Sequence, residues 1–244
     1  MNPRITLAVA ARVLTQLRRD HRTVAMLMVV PALLLTLLWW MFEELPGDLF
    51  DRFGPALLAL FPFIIMFLVT SVTTLRERSS GTLERLLSMP LGKLDFLLGY
   101  ALAFGLVAAL QSAIAVGVSV GLLGLDVDGP LWLLTVVAVA DALLGSSLGL
   151  FVSAFAQTEF QAVQFMPAIV LPQILLCGLF VPREALPDVL GAISDVLPLS
   201  YAVDAMQELT LSVDPAVWGD LGVIAGFVLA ALVLGAATLR RRTP

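Results

Sequence analysis

Six long apolar runs separated by short polar links dominate the chain: approximately Val24 to Phe42, Gly54 to Leu75, Phe96 to Leu125, Leu131 to Phe155, Ala162 to Val181 and Leu221 to Leu239. Each is near or above the roughly 20 residues that a membrane-spanning helix needs, so the pattern predicts six spans. Before the first run, Ile5, Val9, Val13 and Leu17 recur at near-helical spacing between Arg4, Arg12, Arg18, Arg19 and Arg22. Residues 1–22 read as a basic amphipathic helix lying on a membrane face. A cleavable signal peptide is the rival reading, disfavoured by the long basic region, the over-long apolar run and the lack of an A-x-A site following it.

Two stretches break the simple alternation. Between Pro182 and Trp218, Leu186, Val189, Leu190, Ile193 and Leu197 repeat at helical spacing up to Pro198, and a second helical stretch runs from about Tyr201 to Leu211. At ~1.5 Å per residue each covers about half a bilayer. Residues 182–218 thus suggest an outer re-entrant helix pair, whose irregular backbone must be buried in protein or line a wet cavity. A pair lying flat at the interface is the alternative.

The other break is Leu75 to Tyr100, LRERSSGTLERLLSMPLGKLDFLLGY. Leu83, Leu86 and Leu87 recur at i, i+3, i+4 among Thr82, Glu84, Arg85 and Ser88, the pattern of a short amphipathic helix. Ser80 or Gly81 can cap its start, Glu84 complements the dipole of its first turn, and Pro90 ends it by pushing Met89 out of the α region. Two turns are marginal alone in water, so this helix needs a surface to lie on.

Composition supports a membrane chain: 59% of the 244 residues are hydrophobic and 14% charged, against about half and a quarter in ordinary soluble domains. With no long polar region between the runs, residues 1–244 read as one transmembrane domain. The net charge of −5 hides a strong asymmetry. Placing alternate links on alternate sides puts all the Lys and Arg except Arg52 and Arg183 with the N-terminus, the segment 76–93 and the Arg240-Arg241-Arg242 tail. Short loops rich in Lys and Arg stay cytoplasmic, so both termini and residues 76–93 are expected there. Trp39 and Trp40 fall near one interface, as an aromatic belt would. The lone Cys177 lies in an apolar run and the lone His21 in an Arg cluster, which leaves no disulfide and no metal site to build from them.

The charged segment also carries a resemblance. Arg76-Glu77-Arg78, then Gly81-Thr82-Leu83-Glu84-Arg85-Leu86-Leu87 and Pro90, followed by Lys93, Phe96 and Leu97-Leu98-Gly99-Tyr100, resemble the ABC-2 type permease family. These are membrane subunits of one class of ATP-driven exporters, including daunorubicin-resistance-type drug and lipid pumps. A second echo reads Gly178-Leu179-Phe180-Val181-Pro182, one residue off the family spacing, and Pro198-Leu199-Ser200-Tyr201-Ala202-Val203-Asp204-Ala205-Met206. The resemblance implies that the helix Gly81 to Met89 is a coupling helix seated on a separate ATPase subunit. Glu84 and Arg85 would give its polar contacts, with Thr82 and Met89 at its ends and Leu83, Leu86 and Leu87 as its apolar seat. It also implies two ATPase copies carrying ATP and Mg, and a second permease, identical or homologous.

Chemistry read from the residues agrees in what is missing. No G-x-x-x-x-G-K-[ST] or H-E-x-x-H occurs, and the lone His21, in its Arg cluster, cannot serve a Ser/His site inside the membrane, so the chain itself is expected to bind no cofactor and to hydrolyse nothing. Asp141 is the one acid deep inside an expected span, costing at least ~2.5 kcal/mol at that depth, so it should face a partner, a cavity or other helices. Its helix is rich in small residues, so packing is the competing explanation. Gln111, Gln161, Gln164 and Gln173 are cavity-lining or interhelical hydrogen-bonding candidates.

The reading is an all-α integral membrane protein with six spans, an N-terminal interfacial helix, a cytoplasmic coupling helix and an outer re-entrant pair. It is expected in the inner or plasma membrane of a bacterium, in contact with lipid and without a nucleic-acid partner. Its function would be export of an amphiphilic drug, lipid or glycolipid, with Gln111, Asp141, Gln173 and Tyr201 as the possible pathway. The alternative is a proton-coupled secondary transporter using Asp141, for which two halves with matching broken helices would be the mark.

Overall fold

A computed structural model describes residues 3–79 and 93–238. Among them the chain forms nine α-helices and no strand: α1 (Pro3–Arg19), α2 (His21–Glu43), α3 (Leu49–Ser79), α4 (Lys93–Gly121), α5 (Leu131–Val152), α6 (Glu159–Leu176), α7 (Asp188–Ser194), α8 (Pro198–Leu211) and α9 (Trp218–Thr238). A single 3-10 turn, Arg183–Ala185, separates α6 from α7. Six helices, α2 to α6 and α9, are long and apolar enough to cross a membrane, as the hydropathy pattern predicts.

The centre is the parallel pair α3 and α5. Gly145 and Gly149 let the two backbones touch: an added Cβ would stand 2.4 Å from the Phe63 carbonyl oxygen at the first and 2.4 Å from that of Phe67 at the second. Small residues at such a crossing allow the close dispersion contact that drives helix association in a bilayer. Around this pair, α4 lies against α5, α2 against α3, and α9 against α5 and α8. α2 buries little more than Leu27, Pro31 and Leu35, a single stripe at i, i+4, i+8, and leaves the rest of its apolar surface outward.

Two elements depart from the sequence expectation. The apolar stripe of α1 is covered by protein instead of being offered to lipid: Val9, Ala10, Val13 and Leu17 are buried in a cluster with Tyr100, Ala103 and Phe104 of α4. Gly99 makes this possible, because a Cβ there would lie 2.6 Å from the Val9 side chain and 2.9 Å from the Thr6 carbonyl oxygen. The two helices that follow α6 are also unequal. α7 ends at Ser194, earlier than its apolar repeat suggests, and exposes Val189 and Ile193. α8 meets it at 90° and is deeply buried against α3, α5 and α9 through Leu199, Ala202, Val203, Met206 and Leu209.

Candidate functional site

The expected helix of Gly81, Thr82, Leu83, Glu84, Arg85, Leu86, Leu87 and Met89 lies outside the described residues; both of its flanks lie inside them. At the end of α3, Glu77 is nearly buried and accepts from Arg12 of α1, Nη2 to Oε1, at 3.3 Å. Just upstream, Arg76 grips Glu159 at the start of α6 in a fork, with Nε to Oε1 at 3.0 Å and Nη2 to Oε2 at 3.1 Å. At the start of α4, buried Asp95 accepts from the Thr6 hydroxyl of α1 at 3.3 Å. α1 therefore holds both flanks of the charged segment. Periodicity does not bring these four partners together, because Asp95 reads as an ordinary charge of a loop and Glu77 stands out only as part of the Arg76-Glu77-Arg78 motif.

The bundle's interior contains a second feature. Ser112 of α4 donates to the Ala138 carbonyl of α5 at 2.9 Å, which fixes the register of that seam. Beside it, Gln111 is 1% exposed and Asp141 fully buried, and neither amide atom of the one nor either oxygen of the other has a partner among the described residues. Along α4 this polar step divides the apolar core, with Tyr100 to Ala108 in one cluster and Ala115 and Val116 in the other. Asp141 lies within electrostatic reach of Cys177 at the end of α6. A dry, unpaired carboxyl and amide are costly, and the cost falls when water or a polar ligand reaches them.

The other two pathway candidates are elsewhere and fully engaged. Gln173 donates from Nε2 to the Ile169 carbonyl at 3.1 Å and accepts on Oε1 from the Leu199 amide at 3.3 Å, tying α6 to the first turn of α8. The Tyr201 hydroxyl donates to the Asp195 carbonyl at 2.7 Å, and its ring lies under the Arg183 guanidinium, 5.2 Å from the centroid. Gln161 works at the N-terminal end of α6, where its Oε1 accepts from the Gln157 backbone amide at 2.9 Å while its own backbone amide donates to the Thr158 hydroxyl at 3.1 Å. The four predicted residues thus fall into two groups: Gln111 on α4 and Asp141 on α5, buried with no partner among the described residues, and Gln173 and Tyr201, engaged where α6 meets α8. Arg183, which organises that joint, is invisible in the sequence except as one of two bases on the acidic side.

A family model described as ABC-2 type transporter matches residues 5–211, most of the 244-residue chain and both motif-bearing stretches. The chain belongs to the ABC-2 type transporter family. It is similar to the probable multidrug ABC transporter permease YbhR of Escherichia coli (strain K12), 30% identical over 170 residues, 68% of this chain and 46% of that protein. The matching figures for YbhS of the same organism are 28% over 159 residues, 65% and 42%. ABC transporter G family member 20 of Dictyostelium discoideum is 25% identical over 161 residues, 66% of this chain and 22% of that protein. The chain spans less than half the length of each of these relatives. As an ABC-2 family member it is a multi-pass membrane permease, with the six spans described above.

Proposed function

We propose that this ABC-2 permease is the membrane subunit of an ATP-driven exporter that moves an amphiphilic drug, lipid or glycolipid outward across a bacterial cell membrane, both termini being cytoplasmic. Separate ATPase subunits, two per complex, would carry ATP and Mg and press on Gly81 to Met89. The observation that supports this best is the double hold of α1 on the flanks of that segment, through Arg12–Glu77 and Thr6–Asp95. A push on the segment then acts on α3 and α4 as one body, and through Arg76–Glu159 on α6. Leu83, Leu86 and Leu87 would seat in the ATPase, with Glu84 and Arg85 as polar contacts. Gln111 and Asp141 are the best pathway candidates, because they alone of the four await a partner.

The second permease subunit fits α6. Pro167 and Pro172 deprive the Val163 and Ala168 carbonyls of their intrahelical donors, and both prolines stand with Gln164 on the exposed face of this helix. Such freed carbonyls are costly against lipid, and a neighbouring helix or water can re-satisfy them. α3 also carries two prolines, Pro55 and Pro62, but both are buried within the chain; 72% of its span is covered, against 17% of α6.

The test is co-purification of the chain and of a Glu84→Ala/Leu87→Asp variant with an ATPase subunit encoded beside it, followed by ATP turnover in liposomes. Retention by the wild type and loss by the variant are expected. If neither form retains an ATPase, the reading fails, and proton-driven transport through Asp141 becomes the reading to examine.

A further inference from the structure

Three elements meet at the guanidinium of Arg183, which leaves the 3-10 turn just beyond α6. Its Nε donates to the Ser194 hydroxyl at 2.9 Å and its Nη2 to Asp195 at 2.6 Å, both at the end of α7. Its Nη1 donates to Asp204 in the middle of α8, and its face covers the ring of Tyr201. Ser194 in turn donates to the carbonyl of Leu176, the last residue of α6, at 2.8 Å, and its hydroxyl meets that of Ser200 on α8 at 3.0 Å. Gly178 permits the fold-back: its φ is +91°, and a Cβ there would lie 3.6 Å from Cγ of Arg183 and 3.9 Å from a carboxylate oxygen of Asp204. The two sequence motifs on this side, Gly178 to Pro182 and Pro198 to Met206, therefore converge on a residue that belongs to neither.

We infer that Arg183 is a positioning residue that latches α7 and α8 to the outer end of α6, and that release of this latch is the step that opens the bundle outward. The inference rests on the exporter reading for what the opening serves, not for the latch itself. Charge makes the joint releasable. The guanidinium is the base bonded to both Asp195 and Asp204; Glu184 and Asp220 lie within electrostatic reach of Asp204, and Arg52 is a second base on the wall of the adjoining cavity. Removing the cation or moving it away leaves like charges facing one another. An apolar joint would not separate this way, whereas charged groups at a wet edge can exchange protein partners for water. Water has a route, since a cavity of about 110 Å³ reaches the pair between Arg52, Gly178, Glu184 and Gln207. What would move is substantial, because α8 is the element that fills the outer bundle.

The chain carries its own reporter. Cys177, its only cysteine, is fully buried one residue before Gly178, in one cluster with Leu199, Ala202 and Met206 of α8. Maleimide labelling of Cys177 in membranes holding the full chain should be slow in the wild type. In Arg183→Ala and in Asp204→Ala it should be at least about tenfold faster, the factor expected when hydrogen bonds to a charged group are lost. A second reporter controls for general loosening: Ala103→Cys, in a Cys177→Ser background, sits fully buried in the α1–α4 cluster and should stay protected when Arg183→Ala is added. Unchanged labelling of Cys177, or exposure of both reporters together, overturns the latch. Neither measurement needs ATP, so failure of the exporter reading does not touch it. In liposomes with a hydrolysing ATPase, ATP should speed labelling of wild-type Cys177; hydrolysis without that change overturns the role in outward opening.

Discussion

Gln111 on α4 and Gln173 on α6 are buried to nearly the same degree, 1% and 2% exposed, yet their surroundings are opposite. Gln173 has a donor and an acceptor in place and joins two helices, while neither atom of Gln111 meets a partner among the described residues. The same contrast separates Arg183, whose guanidinium makes three hydrogen bonds, from fully buried Asp141, whose oxygens make none among the described residues. Burial alone does not distinguish these sites. A paired polar group is part of the fold, whereas an unpaired one in a dry bundle marks a place that becomes favourable only when something polar arrives.

The largest effect is expected at Asp141. Leucine there removes an unpaired buried carboxyl, so the purified chain should melt higher, by about 1–3 kcal/mol of stability, the usual penalty of an unsatisfied buried group. Efflux of an amphiphilic dye from cells or liposomes should fall about tenfold or more, since a group that binds cargo or water in transit is gone. A lower melting point would show that Asp141 has a structural partner and would break the contrast.

Next come the two glutamines themselves. Gln173→Leu strands the buried Leu199 amide and should cost about 1–3 kcal/mol, read as a lower melting temperature. Gln111→Leu should be neutral or stabilising by up to about 1 kcal/mol, because it strands nothing. Equal losses at both positions would mean that burial, not pairing, governs this bundle.

The six spans are legible because runs of about 20 apolar residues carry one signal repeated many times. Their ends are less so. α3 runs from Leu49 to Ser79, well past the apolar run Gly54 to Leu75, because helical hydrogen bonding continues into polar sequence. α7 stops at Ser194, whose hydroxyl is engaged by Leu176 and Arg183, a tertiary reason that periodicity does not carry. The stripe of α1 reads as bilayer-facing, since an apolar face announces that it will be covered and not by what; Gly99, opposite Val9, is the only local hint of a helix there. Of the site, depth alone marks Asp141 and Gln111. Arg183 and the hold of α1 on Glu77 and Asp95 depend on partners 11 to 89 residues away, which no local pattern brings together.

Gln161 completes the comparison, being paired like Gln173 but half-exposed. With Thr158 it closes a reciprocal cap at the start of α6, each supplying an acceptor for a first-turn or preceding amide. Water can replace both bonds here, so the loss should be small: about 1 kcal/mol for Thr158→Ala and less than about 0.5 kcal/mol for Gln161→Ala. The expected ranking in melting experiments is thus Gln173, then Gln161, then Gln111 with no loss. A cost at Gln161 as large as at Gln173 would show that the N-terminal end of α6 is shielded from water, as it would be if a second subunit covered the Gln164 and Pro167 face in the purified protein.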